Sequence, residues 1–168
     1  MAPTIKVGDI IPEATFSYIP YSPELESGLV CGTPIKLDIH KDWKGKKVVL
    51  FAVPGAFTPT CHVNHLPPYL EKYSEFKAKG VDIIAVIAGN DPFVMSGWGR
   101  FSGLKDKILT LSDTDAEWSK KHGLGNASAE QRTGRYAMIL DDLKVQYIDI
   151  ETARGVAVSG ADAVLNKL

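Results

Sequence analysis

Two runs of six consecutive apolar residues, 48–53 and 83–88, constrain this chain more than any other feature in it. Each has the length of a strand, and the first is bounded by Gly45 and Pro54. An unbroken apolar run, as opposed to an alternating one, suits a strand covered on both faces. Six residues also fall far short of the roughly 20 needed to span a bilayer. Between the runs, from Cys61 to Lys79, the spacing turns helical, with Leu66, Leu70, Tyr73 and Phe76 as the buried stripe and Gly80 as the stop. Residues 46–88 therefore predict a strand, helix, strand unit, parallel and with a right-handed crossover.

The rest of the chain continues the alternation. A short strand is expected over 14–19, closed by a Pro20 to Pro23 turn, and a Gly-containing stretch then carries Cys31. The Lys-rich stretch 41–47 reads as a solvated turn. Asn90-Asp91-Pro92 places a capping side chain before a proline of the first helical turn, opening a short helix through Phe101 that Gly97 and Gly99 weaken. A third strand over 108–111, a helix over 113–122 capped by Asp113, neighbouring strands over 136–140 and 145–150, and a terminal helix over 159–168 complete the order. The fold class is α/β, a central mixed β-sheet flanked by helices. At 168 residues one domain, 1–168, suffices to bury a core.

Composition narrows the function. With 19 basic against 20 acidic residues, the chain lacks the basic surplus that a nucleic-acid partner requires. Two cysteines cannot build a disulfide scaffold, and residues 1–11 lack a secretory pattern, so a soluble protein of a reducing, cytoplasmic compartment is expected, with no membrane partner. Cys31 and Cys61 are then thiols at rest, either buried fillers or chemistry.

The segment Pro54-Gly55-Ala56-Phe57-Thr58-Pro59-Thr60-Cys61 joins the end of a buried strand to the start of a helix, where ligands of α/β sheets bind. Thr58 fits the cap and Pro59 the first helical position, which puts Cys61 in the first turn among unpaired backbone N–H groups. Such a place favours a thiolate. An ordinary thiol is only a few per cent ionised at pH 7, and first-turn cysteines beside a cation can be mostly ionised. The gain, about thirtyfold, is partly offset by lower nucleophilicity. It falls far short of the roughly 10⁶-fold that enzymes supply, so donors must also stabilise the transition state. A metal pair of Cys61 and His65, four residues apart, is the competing reading. It needs further ligands from Cys31, His40 or His62, and no close cysteine pair supports it.

The pattern P-x-x-x-T-x-x-C, here Pro54, Thr58 and Cys61, resembles the active-site loop of peroxiredoxins, and PGAFTPTC followed by His65-Leu66-Pro67 is similar to their atypical type II branch. Further blocks follow in the same order: Asn90 to Met95 with Trp98, Leu111-Ser112-Asp113, and Gly134 to Met138. Fungal members resemble it most. The resemblance implies a thioredoxin-like fold, a homodimer and reduction of hydrogen peroxide or organic hydroperoxides, with no metal, flavin or haem. It implies Cys61 as the attacking thiolate that becomes a sulfenic acid. Thr58 would hydrogen-bond thiolate and peroxide, Arg135 would stabilise the thiolate and the charge that develops as the O–O bond breaks, and Pro54 would shield the site. The residues alone do not select Arg135 from Arg100, Arg132 and Arg154.

Cys31 decides the cycle. No cysteine follows Cys61. By resemblance to fungal relatives, Cys31 resolves the sulfenic acid across a dimer interface, and thioredoxin or a similar dithiol reduces the disulfide. A one-cysteine peroxidase using an external thiol, a peroxide sensor or disulfide relay, and a binding module with an inert cysteine are the alternatives. Two departures stand out: Pro68 after Pro67 should kink the helix, and Gly97 stands where relatives tend to carry Ala. The final Asn166-Lys167-Leu168 resembles a degenerate peroxisomal address, although a helix simply ending in Lys-Leu reads the same.

Overall fold

The computed structural model describes residues 2–168. Seven strands form one mixed sheet: β1 (Thr15–Tyr18), β2 (Ile35–Asp38), β3 (Lys47–Ala52), β4 (Ile83–Ala88), β5 (Leu109–Ser112), β6 (Tyr136–Asp141) and β7 (Lys144–Ile150), in the order β2-β1-β5-β4-β3-β6-β7. The pairs β3/β4 and β4/β5 are parallel, and the outer pairs are antiparallel. The apolar runs thus occupy the centre, as their lack of alternation requires. Within β3, Val49 and Phe51 enter one core while Val48, Leu50 and Ala52 enter the core on the opposite face. All five are fully buried.

Among the described residues six short α-helices accompany the sheet: α1 (Ile39–Asp42), α2 (Leu66–Glu71), α3 (Tyr73–Ala78), α4 (Pro92–Phe101), α5 (Glu117–Lys121) and α6 (Ala161–Leu165). Among the described residues no helix is long and apolar enough to cross a membrane. Asp91 caps α4 as its sequence predicts, its carboxylate accepting from the N–H groups of Phe93 (2.8 Å) and Val94 (2.9 Å). Gly99 lets α4 lie close on β5, since a Cβ there would stand 2.9 Å from the Thr110 methyl group.

Several elements differ from expectation, each for a local reason. The helix expected over 113–122 begins only at Glu117, because Asp115 and Ala116 adopt left-handed backbone. Asp113 still caps it, accepting from Trp118 N and Ser119 N, both at 2.9 Å. Strand β2 and the single turn α1 lie where the sequence predicts no element, apart from the turn read from residue 41 on, and both are too short to show a periodicity. The Lys-rich stretch is not simply solvated, since Trp43 within it is fully buried. The terminal helix is shorter than expected, starting at Ala161 and leaving Ser159 outside it.

Candidate active site

The single helix expected over 61–79 is three pieces: a π-helical turn over Thr60–His65, then α2, then α3. The cause lies in Pro67 and Pro68. Neither carries an N–H, so a regular α-helix would leave the carbonyls of Val63 and Asn64 unpaired. The chain widens instead: Leu66 N donates to Cys61 O, five residues back, and α2 restarts with its prolines near the first turn. The expected kink is thus a wide turn centred on the residues after Cys61.

Upstream, His62 N donates to Thr58 O at 2.8 Å, so the helical ladder opens at Thr58 with Pro59 next, as predicted. The Thr58 hydroxyl differs from expectation: it turns back and donates to Gly55 O at 2.7 Å. The loop ahead of it is pinned at two points, by Ala56 N donating to Asn90 Oδ1 (2.9 Å) and by the buried Thr133 hydroxyl donating to Val53 O (2.8 Å). Phe57, at φ 61°, holds the loop in a left-handed conformation that costs a non-glycine residue about 1 kcal/mol or more.

Cys61 is 1% exposed and packs in the core with Phe51, Ala56 and Leu66. Its sulfur nevertheless has a cationic partner. Arg135 Nη2 donates to Cys61 Sγ at 3.4 Å, and Arg135 Nη1 donates to His65 Nδ1 at 2.9 Å. Register explains how Arg135 arrives there: β6 pairs with β3, Tyr136 opposite Ala52, so the residue before β6 meets the loop that leaves β3. Arg135, Pro54, Thr60, Asn126, Ser128 and Glu151 line a cleft of about 710 Å³ at this end of the sheet.

His65 is fully buried. Burial pushes its pKa down to about 4; the Ser159 carbonyl opposes this and the Arg135 charge reinforces it. The ring is therefore neutral near pH 7. Its Nε2 donates to Ser159 O (2.9 Å) and its Nδ1 accepts from Arg135, which occupies both nitrogens. Tyr69 OH donates to the same Ser159 carbonyl at 2.6 Å.

Of the residues singled out in the sequence, Pro54, Thr58, Cys61 and Arg135 come together at this end of the sheet. Cys31 stands apart. It is an exposed, free thiol in the loop before β2, and that loop is held by Arg100, whose Nη1 donates to Leu25 O and Val30 O, both at 2.9 Å. Sequence reasoning missed Glu151 and Ser159. Their signal is the β6/β7 hairpin register, which sets Tyr136 opposite Ile150 and so brings Glu151 beside Arg135.

Residues 6–165 match the redoxin family. A Malassezia furfur protein assigned to the peroxiredoxins is 50% identical over 167 residues, covering 97% of this chain and all of its own length. A Lipomyces kononenkoae relative named as a peroxisomal peroxiredoxin is 44% identical over 165 residues, covering 95% of this chain and 99% of its own. Among solved structures, reduced Prx3 from Vibrio vulnificus in complex with hydrogen peroxide superposes with a TM-score of 0.84 at 39% identity, over 97% of this chain and 98% of that one. In sequence and in shape, the chain belongs to the redoxin family and, within it, to the peroxiredoxins.

Proposed function

We propose that the chain acts as one domain, residues 1–168, and is a thiol peroxidase that reduces hydrogen peroxide and organic hydroperoxides through Cys61. The observation that carries this reading is the Arg135 guanidinium donating to the Cys61 sulfur beside an open cleft. The thiolate attacks one peroxide oxygen, forming an S–O bond as the O–O bond breaks. Sulfur is oxidised by two electrons to a sulfenic acid, and the departing oxygen takes a proton and leaves as water or an alcohol. Arg135 sits where negative charge passes from sulfur to oxygen, the position at which a fixed cation stabilises a transition state most. The Thr58 hydroxyl, donating to Gly55 O, keeps its lone pairs free to accept from a bound hydroperoxide. Pro54 covers one wall of the cleft against bulk water.

In the second half of the cycle the exposed Cys31 thiol condenses with the sulfenic acid, forming a disulfide and releasing water. A dithiol such as thioredoxin then reduces the disulfide and is itself oxidised. The buried Cys61 has to be uncovered for that step, and the π-helical turn, without a regular ladder, is the segment suited to open. A second copy of the chain is the proposed source of Cys31. Phe93 and Phe101 on α4, with Gly97 between them at i+4 spacing, form an exposed face that continues into Phe57, whose ring lies 5.8 Å from that of Phe101. The peroxisomal naming of one relative supports a peroxisomal location beside a cytoplasmic one.

The reading is tested by peroxide consumption with a thioredoxin donor. Cys61→Ser is expected to lose it, and retained turnover would overturn the assignment. Stoichiometric peroxide is expected to produce a covalent dimer on a non-reducing gel that disappears in Cys31→Ser. A monomeric oxidised chain with full thioredoxin-dependent turnover would reject resolution between subunits.

A further inference from the structure

The place of Arg135 depends on a chain of hydrogen bonds that leads away from Cys61. Its first link is His65 Nδ1, which accepts from Arg135 Nη1. Nδ1 can accept only while the imidazole proton sits on Nε2, and a proton there in a buried site needs an acceptor. Ser159 O is that acceptor. Without it the ring could take the other tautomer and present an N–H to the guanidinium, donor against donor. Because Ser159 contributes a main-chain carbonyl, the path of the backbone aims it.

Glu151 sets that path. Its Oε1 accepts from the N–H groups of Ala157 (2.7 Å), Val158 (2.8 Å) and Ser159 (2.9 Å), and from the Ser159 hydroxyl (2.8 Å). Four donors converge on one carboxylate oxygen and fold residues 157–159 into a tight cradle around it. Burial acts to raise the Glu151 pKa, but the bonds from Ser159, Ala157 and Val158 outweigh it and the net displacement is downwards, as expected of a carboxylate held in its charged form. Glu151 is also tied directly to the arginine's own backbone, its N–H donating to Arg135 O at 2.9 Å. One residue thereby braces Arg135 from the main chain and, through Ser159 and His65, from the guanidinium.

We infer that Glu151 is a positioning residue of the active site: by cradling residues 157–159 it aims the Ser159 carbonyl at His65, fixes the Nε2–H tautomer, and so holds Arg135 against the Cys61 sulfur. This rests on the reading of Cys61 and Arg135 given above.

A residue that merely stabilises the C-terminal segment would act independently of Arg135; a residue that works through Arg135 would not. A double-mutant cycle separates the two. Oxidation of Cys61 by hydrogen peroxide is followed by stopped-flow tryptophan fluorescence in the full chain, in Glu151→Ala, in Arg135→Ala and in the double variant, with melting curves as a check on folding. Glu151→Ala is expected to slow oxidation about tenfold, in line with the cost of a small misplacement far from the reacting atoms. In the Arg135→Ala background the same change is expected to slow it no further. A folded Glu151→Ala variant at the full rate, or a tenfold loss repeated in the absence of Arg135, would overturn the inference. If Glu151→Ala does not fold, Glu151→Met, which removes both acceptor oxygens and keeps the side-chain length, is read by the same criteria. A slow Arg135→Ala with a normal Glu151 variant sinks this inference alone. An Arg135→Ala variant as fast as the native chain sinks the underlying role of Arg135 and this inference with it.

Discussion

Two arginines serve the neighbourhoods of the two cysteines in different ways. Arg135 reaches the Cys61 sulfur itself and is braced in turn by His65, in a buried place whose bonds extend to Ser159 and Glu151. Arg100 ties down the loop before and around Cys31 by two carbonyls, leaving that thiol exposed. The first arrangement places a cation against a sulfur; the second only shapes the loop that carries one. This difference is what the proposed division between an attacking and a resolving cysteine requires, because attack on a peroxide is helped by a cation at the sulfur and resolution needs access.

The comparison is broken most directly by removing each arginine. Arg135→Ala is expected to slow Cys61 oxidation about 10²–10³-fold, the scale of losing one donor to transition-state charge. Arg100→Ala should leave that step unchanged. Equal losses in stopped-flow measurements would erase the distinction.

A pH series sharpens it next. The His65 pKa falls from its ordinary 6.5 to about 4 on folding, so between those values the unfolded chain takes up a proton that the folded chain does not. Stability is therefore full above pH 6.5 and declines as pH falls towards 4, by up to about 3 kcal/mol. His122, lowered in the same direction by partial burial, adds to the slope. The measurement is the difference in urea midpoint between pH 7 and pH 4.5 for the native chain and for His65→Gln, which should show a clearly shallower dependence. An identical dependence in both would remove the buried neutral imidazole from the account.

The smallest effects concern α4, the helix that carries Arg100 and faces the Cys61 side. Gly99→Ala pushes a methyl against Thr110 and is expected to cost about 1–3 kcal/mol in denaturant titration. A Cβ at Gly97 would meet nothing within 4 Å, so Gly97→Ala should leave the fold intact or stabilise it by about 0.5–1 kcal/mol through helix propensity. A large penalty at Gly97 and none at Gly99 would mean that α4 packs by its other face.

Much of this was legible in the chain. The central strands showed because each is apolar on both faces, and the opening of the Cys61 helix showed because Thr58-Pro59 has the chemistry of a helix start. The π-helical turn was half legible: Pro67 and Pro68 announced a disturbance, but whether the ladder kinks or widens depends on which carbonyls find partners. The Glu151, Ser159 and His65 chain was not legible at all. It spans 94 residues from His65 to Ser159, and its logic appears only once the β6/β7 register sets Glu151 beside Arg135. The bond that the Thr58 hydroxyl donates was not legible for the opposite reason, since it goes to a carbonyl three residues away. Local competition of this kind between side chain and backbone leaves no trace in a motif.

The central claim, that Cys61 attacks and Cys31 follows, is tested most directly by mixing the reduced chain with one equivalent of hydrogen peroxide, quenching at millisecond intervals with a thiol-trapping acid, and mapping oxidation by peptide mass. The predicted result is a sulfenic acid on the Cys61 peptide at the earliest times, and only later a disulfide joining it to the Cys31 peptide. Oxidation appearing first on Cys31, or at both cysteines at the same rate, would contradict it.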